Sequence, residues 1–269
     1  MLSDALVDEY LERIGAQRPE RADLAALRHL QERHVLSVPF ENVDYHVEGA
    51  DVSLDLDKIV DKIVLRRRGG GCYELNPAFA ALLEALGFTV SILPGKVFLG
   101  GHFGSPLCHM ALRVDLEESW LVDVGFGKNS RFPLRLDEKE VQQDPHGEYR
   151  VDRLDTGDIN VHLNGNIQYQ LDNRPSTLSD YYPTFWWYKT APDSVFLHNL
   201  ITTQQTEFGR VTLNGTQLTR TDRDGRHTEE LVGDDAIREA YEKHFGIVLD
   251  TLPKEPDIDP AIRIIMQID

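Results

Sequence analysis

The spacing of apolar residues changes character at Gly87, and that change limits the folds open to this chain. Before Gly87 the spacing is helical. Leu2, Leu6, Tyr10, Leu11 and Ile14 mark one amphipathic helix that closes near Gly15. Leu24, Leu27, Leu30 and Gln31 carry a second, with Asp23 placed to cap its start. Leu56, Ile59, Val60 and Ile63 carry a third that begins at Asp55 or Asp57, and Phe79, Leu82, Leu83 and Leu86 a fourth. After Gly87 the segments 89–93, 110–114 and 120–124 read as strands. Asn164-Gly165, Asn214-Gly215 and Asp224-Gly225 signal hairpins. Residues 144–158 are polar and read as partly loop. A last helix presents Ile237, Ala240, Tyr241 and Phe245, and 253–260 reads as an extended Pro/Asp-rich tail. A run of helices, a run of strands and a mixed C-terminal part give the α+β class.

Composition narrows the partners. The chain has 269 residues, 41% of them hydrophobic, enough to bury a core. Its net charge of −17 argues against a general nucleic-acid binder and against an anionic membrane surface as partner, since both need a basic face. A local basic pocket remains compatible with that charge, and Arg66, Arg67 and Arg68 read equally as such a pocket or as a solvated helix end. No apolar stretch approaches the ~18 residues of a membrane span. The amino-terminal segment is acidic and amphipathic, without the basic and apolar regions of a secretory signal. There are two cysteines, Cys72 and Cys108, too few for a disulfide framework or a Cys-rich zinc site. No metal is expected, and the reducing cytoplasm is the expected compartment.

The segment that carries chemistry is Arg68-Gly69-Gly70-Gly71-Cys72-Tyr73-Glu74-Leu75-Asn76. Three glycines allow a tight turn and close approach, and they deliver a cysteine to a helix start. There the helix dipole favours thiolate, the nucleophilic form. A nucleophilic cysteine needs a base, and the base an orienting group. His109 opens one strand, and Asp123 lies in another that is otherwise apolar. The connection between them is short, so the two strands can lie side by side, bringing imidazole and carboxylate together. Asp123 is expensive to bury without a partner. Each residue alone is compatible with ordinary packing. His102 is the local rival to His109 and Cys108 the rival thiol, while His29, His34, His146 and His227 sit in polar, surface-like contexts.

Together these residues resemble an arylamine N-acetyltransferase. Arg68, Gly69, Gly70, Cys72, Glu74 and Asn76 match the family's nucleophile motif, and Cys108-His109-Met110 its histidine segment. Residues 123–127 reproduce its DVGFG element, and Pro39-Phe40-Glu41-Asn42 its PFEN element. Phe132-Pro133-Leu134 and the segment 194–199 also resemble it. The motifs occur in the family's order and cover nearly the whole chain.

The resemblance implies an N-terminal helical bundle over 1–88 carrying the nucleophile, a β-barrel over 89–195 carrying histidine and aspartate, and a C-terminal α/β lid over 196–269, around a cysteine-protease-like core. It implies a triad of Cys72, His109 and Asp123, and an acceptor pocket lined by Phe40, Val97 and Phe126. Arg68, Glu41, Glu74 and Asn76 are structural near that site, with both glutamates read as partners for arginines such as Arg68. The implied reaction moves an acetyl group from acetyl-CoA, through an acetyl-cysteine, to the nitrogen of an arylamine or arylhydrazine. The chain departs from the common pattern at Gly71, at Cys108 and in the Gly-rich segment 98–104. A more open entrance there keeps one alternative within the family, an amide synthase closing a macrolactam on an acyl-carrier-protein-bound polyketide. Two readings of other classes are a cysteine hydrolase or transglutaminase-like enzyme and a non-catalytic small-molecule binder.

Overall fold

The computed structural model describes residues 1–256. Helix α1 (Asp4–Ile14) starts at Ser3, whose hydroxyl accepts from the Leu6 N–H at 3.3 Å, and stops at Gly15 in the left-handed region, φ 64°. Helix α2 (Leu24–Ser37) is capped by Asp23, which accepts from the Ala26 N–H at 2.9 Å. Each cap satisfies a backbone donor that the helix itself leaves open. Helix α3 (Leu56–Val60) is capped by Asp55 and runs on into a wider turn, Asp61–Leu65, that buries Ile63 and Val64. Helix α4 (Cys72–Ala85) buries twelve of its fourteen residues, and Leu75, Phe79, Leu82 and Leu83 join the core that also takes Tyr10, Ile14, Leu27, Leu30 and Ile63. It contains Pro77 five residues past its start, a position with no N–H to return to the Tyr73 carbonyl.

The chain then forms a nine-stranded antiparallel sheet. A two-residue strand, β1 (Phe40–Glu41), lies apart from it. The sheet comprises β2 (Thr89–Leu99), β3 (His102–Phe103), β4 (His109–Asp115), β5 (Ser119–Val122), β6 (Leu134–Arg135), β7 (Gln142–Asp144), β8 (Gly147–Arg153), β9 (Ile159–Leu163) and β10 (Asn166–Leu171). Its order, β6-β5-β4-β2-β10-β9-β8-β7, leaves β6 and β7 as edges, with β3 pairing β2. The Gln142 side chain bridges those edges: its carbonyl accepts from the Arg135 N–H at 2.7 Å and its amide donates to the Arg135 carbonyl at 3.0 Å. The sheet is thereby nearly closed, around Leu93, Ala111, Leu121, Tyr149, Val161 and Leu171. Helices α5 (Tyr182–Thr190) and α6 (Val195–His198) follow.

A second sheet of β11 (Ile201–Thr206), β12 (Gly209–Asn214), β13 (Gln217–Asp222) and β14 (Gly225–Glu230) takes β1 onto its edge, with Phe40 opposite Thr203. Helix α7 (Asp234–Phe245) lays Ala240, Tyr241 and Phe245 against Val211, Leu213 and Leu218. The fold is mixed α+β with a barrel-like sheet at its centre.

Several local expectations shift. Residues 144–158 contain the seven-residue strand β8, whose Tyr149 and Val151 point inward. Asn164-Gly165 is the turn expected, both residues at positive φ. The next two hairpins turn one residue away from their Asn-Gly and Asp-Gly signals, because Asn214 pairs with Gln217 and Gly225 with Asp222. His34 is fully buried, its ring nitrogen 3.0 Å from the Tyr10 hydroxyl, rather than in a surface context. His146 is only partly exposed. From 257 onward the expected tail lies outside the described residues. Among the described residues no helix is long and apolar enough to cross a membrane.

Candidate active site

Cys72 is the first residue of α4, as the glycine-rich approach predicts. The glycines serve different contacts. A Cβ on Gly69 would sit 2.1 Å from the Pro39 carbonyl oxygen, and one on Gly70 2.7 Å from the Glu74 carboxylate. Gly71 lies in ordinary extended backbone, φ −84°, and a Cβ there would meet nothing within 4 Å. Its N–H donates to Glu74 at 3.0 Å, which fixes the first turn of the helix.

The charges behind this turn form one buried cluster. Arg68 donates to Glu41 at 2.7 Å and Asp44 at 2.9 Å, and Lys62 lies 2.8 Å from Asp44 and 2.7 Å from Glu74. Glu41 therefore pairs with Arg68 as expected, but the partner of Glu74 is Lys62 and not an arginine. Burial works against the Asp44 carboxylate, yet Lys62 and Arg68 outweigh it and hold its pKa below the usual value. For Glu74 burial wins over Lys62, and its pKa is raised. Arg68 thus faces inward, while Arg66 pairs with Asp61 at the surface at 2.9 Å. Arg66 and Arg68 therefore point to different surroundings.

His109 and Asp123 meet as the strand reading predicts. Strands β4 and β5 are antiparallel, with Leu112 opposite Val122, and Asp123 follows directly on β5. The His109 Nε2 lies 2.8 Å from Asp123 Oδ2, both side chains buried. The other carboxylate oxygen accepts from the Asn76 amide at 3.0 Å and the Gly125 N–H at 2.9 Å. Asn76, one turn along α4 from Cys72, also donates to the Met110 carbonyl at 2.7 Å and accepts from Val124 N–H at 3.0 Å. One side chain thus ties the helix of the thiol to the strand of the histidine and the loop of the aspartate. With the ring N–H engaged on Asp123, Nδ1 keeps its lone pair and can accept a proton.

Cys72, His109, Phe40, Val97 and Phe126 all line one cavity of about 190 Å³. Cys108, Gly104, Tyr188 and Phe196 share it. Tyr169, which the sequence did not single out, packs its ring 4.8 Å from the His109 ring and 4.8 Å from that of Phe126. The rival histidine, His102, sits exposed at the start of β3 with Nδ1 3.3 Å from the Gly100 carbonyl. Gly125 closes the floor: a Cβ on it would be 2.6 Å from Cys72 Cα.

Electrostatics differ from the dipole-only expectation. Burial, and after it the Asp123 carboxylate, push the Cys72 thiol up, although backbone N–H groups of Met110 and Tyr73 act on the sulfur in the opposite sense. Burial likewise raises Cys108, whose sulfur accepts from the Val97 N–H at 3.2 Å. Desolvation thus outweighs the helix start. Cys72 becomes an anion only with a cation formed beside it, and His109 is the group placed to become one.

The chain is similar to known proteins over nearly its whole length. A family model described as N-acetyltransferase matches residues 23–253. The Escherichia coli K12 arylamine N-acetyltransferase is 31% identical over 98% of this chain and 96% of its own length. The arylamine N-acetyltransferase structure from Salmonella typhimurium superposes with a TM-score of 0.85 at 28% identity, covering 95% of this chain and 96% of that one. The Mycobacterium marinum arylamine N-acetyltransferase, solved in complex with CoA, superposes with a TM-score of 0.81 at 30% identity, covering 90% and 92%.

Proposed function

Because the chain belongs to the arylamine N-acetyltransferase family, we propose that it moves an acetyl group from acetyl-CoA to the nitrogen of an arylamine or arylhydrazine in two half-reactions at Cys72. The observation that carries this reading is the buried His109–Asp123 hydrogen bond of 2.8 Å beside a thiol in the same cavity. His109 Nδ1 takes the thiol proton, and Asp123 holds the ring and offsets the charge it gains. The thiolate attacks the thioester carbonyl, the carbon–sulfur bond to CoA breaks, and the imidazolium returns its proton to the departing sulfur. The amine then attacks the acetyl-cysteine, His109 takes its proton, and Cys72 leaves. General-base assistance of this kind contributes about 10²–10⁴ in rate.

Phe40, Val97 and Phe126 give the acceptor cavity flat apolar walls, which suit an aromatic amine and keep water from the acetyl-cysteine. The thiol then belongs to the 1–88 part and the histidine and aspartate to the 89–195 part, with 196–269 completing the chain. The M. marinum relative's CoA complex supports the choice of donor. The reducing cytoplasm is the compartment that suits two free buried thiols. Mixing the protein with acetyl-CoA should add one acetyl group to the Cys72 peptide by mass spectrometry, and none in Cys72→Ala. Equal acetylation of both proteins would refute the assignment.

A further inference from the structure

The C-terminal sheet ends in an open edge. Strand β14 is last in the order β1-β11-β12-β13-β14 and, among the described residues, pairs only with β13. All six of its residues, Gly225-Arg226-His227-Thr228-Glu229-Glu230, are exposed, whereas β1 at the other end of the sheet is buried. The ladder decides which backbone groups face outward. The Leu231 N–H donates to the Thr216 carbonyl at 2.9 Å, so residue 231 turns its backbone polar groups toward β13. In an antiparallel pair that direction alternates along the strand. Residues 225, 227 and 229 therefore face β13, and residues 226, 228 and 230 present their N–H and C=O groups to the outside. Such a row is a template for one more strand.

An edge this charged turns most strands away, but its sequence fits a copy of itself. Two β14 strands can run antiparallel about a two-fold axis through Thr228. The outward-facing residues then meet in register, Thr228 against Thr228 and Arg226 against Glu230 of the second copy. Between them His227 faces Glu229 of the second copy, so an imidazole N–H meets a carboxylate. Each pair is of a kind that stabilises a sheet: threonine with threonine, and cation or donor with anion. A two-fold axis always sets one residue against itself. Through Arg226, Glu229 or Glu230 it would bring like charges together, and through His227 it would leave Glu229 opposite Gly225. Only Thr228 is a neutral, β-branched residue at the middle of the strand. The strand is also held ready within its own chain: the Thr228 and Thr219 hydroxyls lie 3.0 Å apart, and Arg220 donates to Glu229 at 2.7 Å.

We propose that β14 is the docking edge for a second copy of this chain, pairing antiparallel with its counterpart about Thr228 so that the two five-stranded sheets become one continuous sheet. The contact is closed by its two-fold symmetry and cannot grow into a fibre. One strand pair buries little surface, so the dimer is a weak one that forms as concentration rises. Sedimentation velocity over about 1 μM–1 mM protein reads it, and wild type should pass from monomer to dimer within that range. Thr228→Pro removes an outward N–H but no backbone bond to β13, so it should stay folded and monomeric. Glu230→Arg turns two symmetry-related pairs repulsive at once and should raise the dimer dissociation constant about tenfold or more. Arg226→Glu should do the same. The double variant Arg226→Glu/Glu230→Arg restores opposite charges and should recover the wild-type constant. Urea unfolding checks that each variant is folded, and the charge swap decides the matter if Thr228→Pro is not. A double variant that associates no better than the single ones, or a folded Thr228→Pro that dimerises like wild type, would overturn the proposal. A wild type that stays monomeric throughout would overturn it as well and leave the edge to a strand of another protein.

Discussion

Gly71 and Gly125 flank the thiol in opposite ways. Gly71 has an ordinary φ and open space where a Cβ would go, so Gly71→Ala should leave folding and acetylation close to wild type. Gly125→Ala would force its Cβ to within 2.6 Å of Cys72 Cα, a backbone contact that no side-chain rotation relieves. We expect it to slow Cys72 acetylation about 10²-fold, the size of effect that a misplacement of about 1 Å produces. Stopped-flow acetylation of the two variants checks the contrast, and equal rates would sink it. At this scale the placing of Cys72 at a helix start and the meeting of His109 with Asp123 were legible in the sequence, because a glycine-rich approach, a strand-opening histidine and an aspartate among apolar residues each leave a chemical trace. Lys62 left none. It sits among helical residues that look solvated and becomes buried only because Asp44 and Glu74 converge on it from distant segments. Tyr169 was equally silent, since a tyrosine in a hairpin strand says nothing about which ring it will face.

At the scale of elements, the barrel closes through one side chain and not through a ladder. Gln142→Ala removes both hydrogen bonds to the Arg135 backbone, each typically worth about 0.5–1.5 kcal/mol. Unfolding in urea should therefore show a loss of about 1–2 kcal/mol. The exposed neighbour variant Gln143→Ala should stay within about 0.5 kcal/mol, and equal losses would refute the seam. The sequence announced helices α1 to α4, the caps Asp23 and Asp55 and the stop at Gly15, because caps are local chemistry. It concealed β8, whose inward Tyr149 and Val151 alternate with polar residues, and it misplaced two turns by one residue. A hairpin's register is set by the strands on either side, which local turn preference only biases. His34 was detectable: it continues the helical face of Leu27, Leu30 and Gln31, and its polar neighbours in sequence hid that spacing.

For the whole molecule, buried imidazoles contribute to the response to acid. His34 is held down to about 3, mainly by burial and further by the charge of Arg13, against an ordinary value of 6.5. Its folded pKa lies below its unfolded one. Between those values the unfolded chain binds a proton that the folded chain does not, so stability falls as pH falls through that window. A single such group contributes a slope of about 1.4 kcal/mol per pH unit. His146, held to about 4, adds to it over part of the range. Urea unfolding at pH 6.5 and pH 5 should show a steeper acid loss for wild type than for His34→Gln, which keeps a polar group for Tyr10 but does not titrate. Identical slopes would overturn the assignment.

The edge position of Phe40 and Glu41 on the C-terminal sheet bears on how the protein is made. Phe40 walls the thiol cavity, yet its strand partner is Thr203, more than a hundred residues later. The Asn42 side chain next to it accepts from the Ile201 N–H at 2.8 Å and donates to the Phe196 carbonyl at 2.9 Å. A nascent chain that has already formed its helices and its barrel therefore still has an unfinished wall to its thiol cavity. The order of synthesis withholds a complete thiol cavity until the segment around residues 196–203 has left the ribosome.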